Sequence, residues 1–402
     1  MNRTVDVLVV GAGPAGLAAA ARLAAGGAGR VEVLERERTA GGVPRHCARP
    51  GFGADNRGRP LDGPAFARRA VRAALRAGAT VRTGVSATGW AGPLTLDVTA
   101  PTGLERVRAR AVVLATGARE RPRSARLVPG SRPAGVLTTG ELQQLVLRFA
   151  APAEHLGRRA VVVGGDPVAL GAMRTLRAAG VEVAAVVAEL PARRAPFGSV
   201  PVLSGTVVTE LLGRGRLTGV AVRGEDRRMA VLRCDTVVFT GDWIPDHELA
   251  RAGGLPLAPG TRGPVTDGSF RTAEPGVFAI GNLLHGGEPA PVAAAEGRAV
   301  AAAVLDRLAG RPWPSGGVPV VTAGPLRWVT PGLLGPQAPA LLVRAERRLH
   351  RPVLTLTQDG AALRRERLGG TLVPWSSVRL LPHWTRGADL GGGPVVISAA
   401  EE

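Results

Sequence analysis

The chain has no lysine and no tyrosine, only two cysteines, and aromatic side chains make up just 3% of its 402 residues. Each shortage removes a class of protein. Cys47 and Cys234 cannot build a disulfide scaffold, and they cannot supply the four thiolates of an iron–sulfur cluster on their own. Scarce aromatics leave little for unpaired bases to stack on, so the formal charge of +19 does not by itself describe a nucleic-acid surface. The arginines are scattered rather than clustered. With lysine missing and alanine and glycine abundant, they read as compositional drift of the kind a GC-rich genome imposes, and no nucleic-acid partner is expected. No apolar run reaches the ~18–20 residues of a membrane helix. The chain passes from Met1-Asn2-Arg3-Thr4 straight into VDVLVV, which leaves no room for a signal peptide. The expectation is a cytoplasmic protein with no integral membrane segment. His155, His247, His350 and His383 are dispersed without metal-ligand spacing, so no metal is expected. Neither a Ser–His–Asp order nor a phosphate-cleaving P-loop appears.

What is present is a repeated strand–glycine–helix–strand pattern. At 45% hydrophobic and 21% charged, the chain has enough apolar material for a sizeable core. Its length predicts two or three domains of ~150 residues each. Val5 to Val10 form a near-continuous apolar run, as in a parallel strand buried on both faces. GAGPAG follows at Gly11 to Gly16, then the helix pattern LAAAARLAA, then VEVLE ending at Glu35. A second such block opens at Ala160-Val161-Val162-Val163, continues through a helix near Val168 to Ala179 and resumes as VEVAAVVAE. Other strand-like runs end in glycine turns: AVVLATG at 111–117, TVVFTG at 236–241 and GVFAIGN at 276–282. A helix pattern spans about Val292 to Leu308. From Ser315 the chain turns rich in proline and glycine, with alternating runs such as LLVRAE and VLTLTQDG, and reads as a small β-rich domain without recognisable chemistry.

Each glycine of the first turn has its own physical reason. Gly11 permits the tight turn, Gly13 lets the backbone approach a pyrophosphate, and Gly16 lets helix and sheet pack closely. Pro14 and Ala15 open the helix, whose N-terminus offers free N–H groups and the positive end of a dipole. Glu35, with Arg36 beside it, ends the second strand about 20 residues beyond Gly16, where a carboxylate accepts hydrogen bonds from an adenosine ribose. Together these predict a bound dinucleotide.

The order of motifs decides which one. GAGPAG with Glu35, then Gly41-Gly42, AVVLATGA, TVVFTGDWIPD and FRTAEPGVFAIGN resembles the two-dinucleotide-binding-domain flavoproteins, the broad pyridine nucleotide-disulfide oxidoreductase-like family. The resemblance covers roughly residues 5–310. It implies an α/β fold with two Rossmann-like domains, the FAD domain discontinuous and the second inserted, plus the small β-rich C-terminal domain. The implied boundaries are 1–122, 123–240, 241–314 and 315–402. It also implies FAD, with Gly11, Gly13, Gly16 and Glu35 at the adenosine diphosphate end. Gly41 and Gly42 follow closely. Ala115, Thr116 and Gly117 approach the cofactor, Gly281 and Asn282 lie by the ribityl chain, and Val85 offers a backbone amide to adenine. Asn282 stands where the family has aspartate, which changes the hydrogen-bond pattern without removing the cofactor. The helix beginning near Pro291-Val292 is expected to aim its N-terminus at the flavin pyrimidine edge.

In the family the second block often binds NAD(P)H. Here its turn reads Gly164-Gly165-Asp166-Pro167-Val168-Ala169, which sets a carboxylate against the pyrophosphate and makes NAD(P) doubtful. Glu189 and the pair Arg193-Arg194 argue the other way, as a ribose acid and 2′-phosphate ligands. The family's disulfide reductases carry a CxxxxC pair after GG; this chain has Cys47 alone, between His46 and Arg49, so no redox-active disulfide is expected. Its basic neighbours read as a setting that lowers a thiol pKa. His46 and Cys47, together with His285 and Glu288 in the loop after Asn282, are the candidate catalytic residues, the loop pair as bases beside the flavin. The segments GGVPRHCARPGFG, GDWIPDHEL and GNLLHGGEP are similar to the alpha subunits of amino-acid and opine-type dehydrogenase complexes and of hydrogen cyanide synthase. Three functions remain open. The first is a dehydrogenase of a small amine, amino-acid or hydroxy substrate, working with a second catalytic or electron-accepting subunit in an oligomer. The second is an NAD(P)H-dependent flavin reductase or oxidase. The third is a non-catalytic FAD-binding subunit.

Overall fold

The computed structural model describes residues 2–55, 57–190, 197–314 and 316–401. Along the chain the first block is β1 (Val7–Val10), α1 (Pro14–Ala25) and β2 (Val31–Glu35). Helix α2 (Gly63–Arg76) leads to β3 (Thr80–Thr83), and after three antiparallel strands comes β4 (Ala111–Leu114). The second block contains α3 (Thr139–Leu147), β5 (Arg159–Val163), α4 (Pro167–Ala178), β6 (Glu182–Ala188) and β7 (Thr236–Phe239). The chain then returns through β8 (Val277–Ala279) to α5 (Ala290–Leu308), which starts two residues earlier than its sequence pattern. Two compact units result. One holds Met1–Arg45, Pro50–Ala118 and Pro245–Glu402; the other holds His46–Arg49 and Arg119–Ile244.

In the first unit five parallel strands run in the order β8-β4-β1-β2-β3. Strand alternation divides the core in two. Val7, Val9, Val33 and Val113 pack toward the helices α1 and α5, whereas Leu8, Val10, Leu34 and Leu114 pack toward the antiparallel strands through Leu96, Val98 and Val107. All four residues of β1 and of β4 are buried, which is why these strands read as unbroken apolar runs. Glu32 of β2 is fully buried and neutralised by Arg3 at 2.8 Å and Arg82 at 3.1 Å, which leaves Glu35 as the acid at the strand's end.

The C-terminal stretch belongs to this unit. A five-stranded sheet and a three-stranded antiparallel sheet share one apolar core that includes Val343, Leu354, Leu356, Trp384 and Ile397. Alternation is visible in Val318–Thr322 and Val395–Ala400.

The second unit repeats the plan. Its parallel sheet runs Val136–Thr138, β7, β5, β6, Val202–Ser204, with α3 and α4 over one apolar face and a three-stranded antiparallel sheet over the other. Among the described residues no helix is long and apolar enough to cross a membrane.

Candidate functional site

Three adjacent strands end side by side at the carboxyl edge of the first sheet, and each ends in a glycine turn: β1 in Gly11–Gly16, β4 in Ala115–Gly117, β8 in Gly281. Strand order reverses between β1 and β4, and at such a switch point an open α/β sheet takes its ligand. Gly11 adopts φ +107°, and a Cβ there would lie 2.3 Å from the Ala115 carbonyl oxygen. At Gly16 a Cβ would lie 1.9 Å from the Gly11 oxygen. Gly13 is the contrast, because a Cβ there would meet nothing within 4 Å. Its glycine is therefore not demanded by internal packing, and the space in front of it is open to a ligand. Gly13 is also the N-cap of α1 and, having no side chain, leaves the first amides of the helix without a side-chain cap.

The neighbouring pieces brace this turn. The Gly41 amide donates to the Ala12 carbonyl at 2.8 Å, and a Cβ on Gly42 would lie 2.8 Å from Gly13 Cα. Glu35 accepts the Ala12 amide at 3.1 Å and the Glu37 amide at 2.9 Å, one on each carboxylate oxygen, which leaves further acceptor capacity on both. Arg36 reaches Asp246 at 3.3 Å. Asp246 in turn holds the β4 turn: its carbonyl accepts from Thr116 Oγ1 at 2.7 Å, and its amide donates to the Gly117 carbonyl at 2.9 Å. One expectation needs correction. The Val85 amide, assigned to adenine, donates to the Glu35 carbonyl at 2.9 Å and belongs to the chain's own ladder.

The loop after β8 is pinned from three directions. The Gly281 amide donates to Glu296 Oε2 at 2.8 Å, and His285 Nε2 meets Glu296 Oε1 at 2.7 Å. Asn282 and the Glu288 backbone exchange two hydrogen bonds, at 2.9 and 3.1 Å. The Glu288 carboxylate pairs with Arg344 of the C-terminal sheets, and Arg344 Nη1 donates to the Gly286 carbonyl at 3.0 Å. Trp328 carries both side chains: the His285 ring stacks on it at 6.0 Å and 22°, and the Arg344 guanidinium lies 4.8 Å from its centroid. Burial pulls the His285 pKa down, but the Glu296 and Glu288 carboxylates outweigh it and hold the imidazole above its ordinary range.

This arrangement corrects the catalytic assignment. His285 is fully buried and Glu288 nearly so, and each is engaged by an internal partner, so neither is a free base. The Asn282 side chain bridges the loop instead of reaching outward, and the Val292 amide donates to the Pro289 carbonyl at 3.0 Å. Glu296, Arg344 and Trp328 were not foreseen. An acid inside the alanine-rich stretch PVAAAEGRAV is the one sequence signal that marks Glu296.

Residues 5–297 match the model of the pyridine nucleotide-disulphide oxidoreductase family. The chain belongs to that family. It is 33% identical over 341 residues to an opine oxidase subunit of Agrobacterium tumefaciens, a match that covers 75% of this chain and 66% of that one. It is 30% identical over 363 residues to the alpha subunit of sarcosine oxidase from Corynebacterium sp. (strain P-1), covering 83% of this chain and 36% of that one. The chain thus spans less than two thirds of the length of these relatives. The fold is that of bacillithiol disulfide reductase from Bacillus cereus, with a TM-score of 0.62 at 18% identity, covering 76% of this chain and 100% of that one. FAD is the cofactor of this family member, and the open face of Gly13 at an uncapped helix end fits a pyrophosphate.

The second unit of this flavoprotein treats its glycine turn differently. Asp166 occupies the position of Gly13 and caps α4: Oδ1 accepts the Val168 amide at 2.8 Å and the Ala169 amide at 2.9 Å. Burial pushes this carboxyl above the usual aspartate range, against the lowering effect of those two amides. A Cβ on Gly241 would lie 2.1 Å from Asp166 Oδ2, so the turn after β7 closes on the carboxylate as well. Glu189 is exposed just past β6, and Arg193 and Arg194 lie outside the described residues.

His46 and Cys47 belong to this second unit. His46 is buried, and Cys47 Sγ donates to Gln143 Oε1 at 3.4 Å. The activated thiol expected from its basic neighbours is reversed: burial pushes the Cys47 thiol up to about 11, and the Arg49 charge does not offset it. Neither Cys47 nor Cys234 forms a disulfide. Burial also raises the Glu120 carboxyl to about 7, although Oε2 accepts the Gly140 amide at 2.6 Å. Among the described residues no group of histidine, cysteine and acidic side chains is arranged to hold a metal.

Proposed function

We propose that this chain is the FAD-carrying subunit of a dehydrogenase that oxidises a small amine, amino-acid or hydroxy substrate. In this reading its electrons pass to a partner subunit or a quinone rather than being exchanged with NAD(P). One observation carries the reading: Asp166 already accepts the α4 amides that a dinucleotide pyrophosphate would need. Similarity to subunits of an opine oxidase and of a sarcosine oxidase supports the substrate class and the partner. FAD, when bound, supplies the hydride acceptor. The chain's own residues would bind and orient it: the α1 amides would take the pyrophosphate and Glu35 the ribose, and the backbone at Gly281 and Asn282 would lie by the middle of the cofactor. No redox-active disulfide takes part, since Cys47 has no nearby partner cysteine in the sequence and its thiol stays protonated at neutral pH.

Anaerobic mixing of the purified holoprotein with single donors tests this. Bleaching of the flavin band is expected with an amine, an amino acid or a hydroxy acid and not with NADH or NADPH. Rapid bleaching by either nicotinamide overturns the proposal in favour of a flavin reductase. A flavin that no donor reduces, in a stable complex with another subunit, favours a non-catalytic role instead.

A further inference from the structure

The C-terminal sheets touch the rest of the first unit at a chemically specific place. Arg344 stands on the strand Leu341–Ala345 and Trp328 on Leu326–Thr330, two antiparallel neighbours. Arg344 is almost fully buried there, with its guanidinium over the Trp328 ring. From that seat it holds the loop after β8 twice, through the Gly286 carbonyl and the Glu288 carboxylate, while Trp328 carries the His285 ring. The same loop begins at Gly281, on the carboxyl edge that also carries the open Gly13 turn. A Cβ on Gly281 would lie 2.7 Å from Ala15 Cβ, which places the start of the loop against the first residues of α1.

A loop between a strand and a helix is ordinarily mobile, because few contacts offset its backbone entropy. Here both ends and the middle are anchored, and the middle anchor comes from the C-terminal sheets. Burying an arginine is costly unless its charge is compensated, so a merely decorative contact would be replaced by apolar packing at no loss. The planar fork of arginine instead serves two acceptors at once, which lysine cannot do with the same geometry.

We propose that the C-terminal domain is part of the flavin site, with Arg344 as the positioning residue that fixes the loop 282–288 against the bound cofactor. This rests on the cofactor placement proposed above. Arg344 touches neither substrate nor FAD; it acts through the loop.

The test compares full-length wild type, the charge-balanced double variant Arg344→Met with Glu288→Gln, and the conservative Arg344→Lys. Apoprotein of each is titrated with FAD by fluorescence, and the visible flavin spectrum and the thermal melt are recorded. The double variant removes the anchor without stranding a buried charge. It is expected to melt close to wild type, to bind FAD at least ~10-fold more weakly, equivalent to about 1.4 kcal/mol, and to show an altered flavin band. Arg344→Lys is likewise expected to melt close to wild type while losing affinity and altering the spectrum. A folded double variant with wild-type FAD affinity and spectrum overturns the clamp and leaves the cofactor placement standing. Wild type that takes up no FAD overturns both. If the double variant fails to fold, the decision falls to Arg344→Lys, and wild-type affinity and spectrum there overturn the clamp.

Discussion

Gly13→Asp is expected to give a folded, colourless chain. The substituted side chain has room, because nothing lies within 4 Å of where its Cβ would stand. It also has a ready role. Asp166 shows what an aspartate does at this position, accepting the second and third amides of the following helix behind a proline. At α1 the equivalent amides are those of Ala15 and Gly16, behind Pro14. An aspartate in place of glycine at an N-cap changes helix stability by only a few tenths of a kcal/mol, so the apoprotein melt should hold or rise slightly. Cofactor binding is another matter. A carboxylate ~4 Å from a phosphate costs about 4 kcal/mol at an effective dielectric constant of ~20. That corresponds to a loss of roughly 1,000-fold in affinity. Titration of the variant with FAD, alongside a thermal melt of the apoprotein, checks both halves. A yellow variant loaded one-to-one would remove the pyrophosphate from the Gly13 turn.

Gly297→Ala is expected to destabilise the first unit by about 3 kcal/mol. Helices α1 and α5 approach closely because their facing positions are alanine and glycine, including Ala15, Ala19, Ala293, Gly297 and Ala301. A Cβ at Gly297 would lie 2.1 Å from the Ala15 carbonyl oxygen and 2.9 Å from its carbon. Those atoms are backbone and cannot swing aside, so the helices must separate. Intrinsic propensity acts in the opposite direction, since alanine favours a helix interior over glycine by ~1 kcal/mol. A net loss therefore reports the clash and nothing else. Urea denaturation of the apoprotein measures it, and an unchanged or raised midpoint would mean the two helices can move apart freely. Displacing α5 also moves Glu296, one residue away, and with it the Gly281 amide.

The cradle was legible in the sequence because its chemistry is local. Strand, glycine turn, helix and terminal acid all fall between Val7 and Glu35, so each residue's role follows from the one before it. The loop after β8 was misread for the converse reason. His285 and Glu288 sit in a polar-looking stretch, but their partners come from 11 residues onward at Glu296 and 56 residues onward at Arg344. A strand in the C-terminal sheets gives no local hint that one of its arginines is aimed at a distant loop. Cys47 failed in a third way. Adjacent arginines suggest an acidic thiol, yet desolvation outweighs them, and burial cannot be read from neighbours in the chain. At Asp166 the carboxylate in the glycine turn was legible, while the capping of α4 needed the helix start to be known to the residue.

The self-capped turn has an evolutionary corollary. Aspartate and glycine codons differ at a single base, so the sealed helix end of the second unit stands one point mutation from an unsealed one. A lineage built on this scaffold can seal or unseal the start of a helix by the smallest possible genetic step, without inventing a fold or dismantling one.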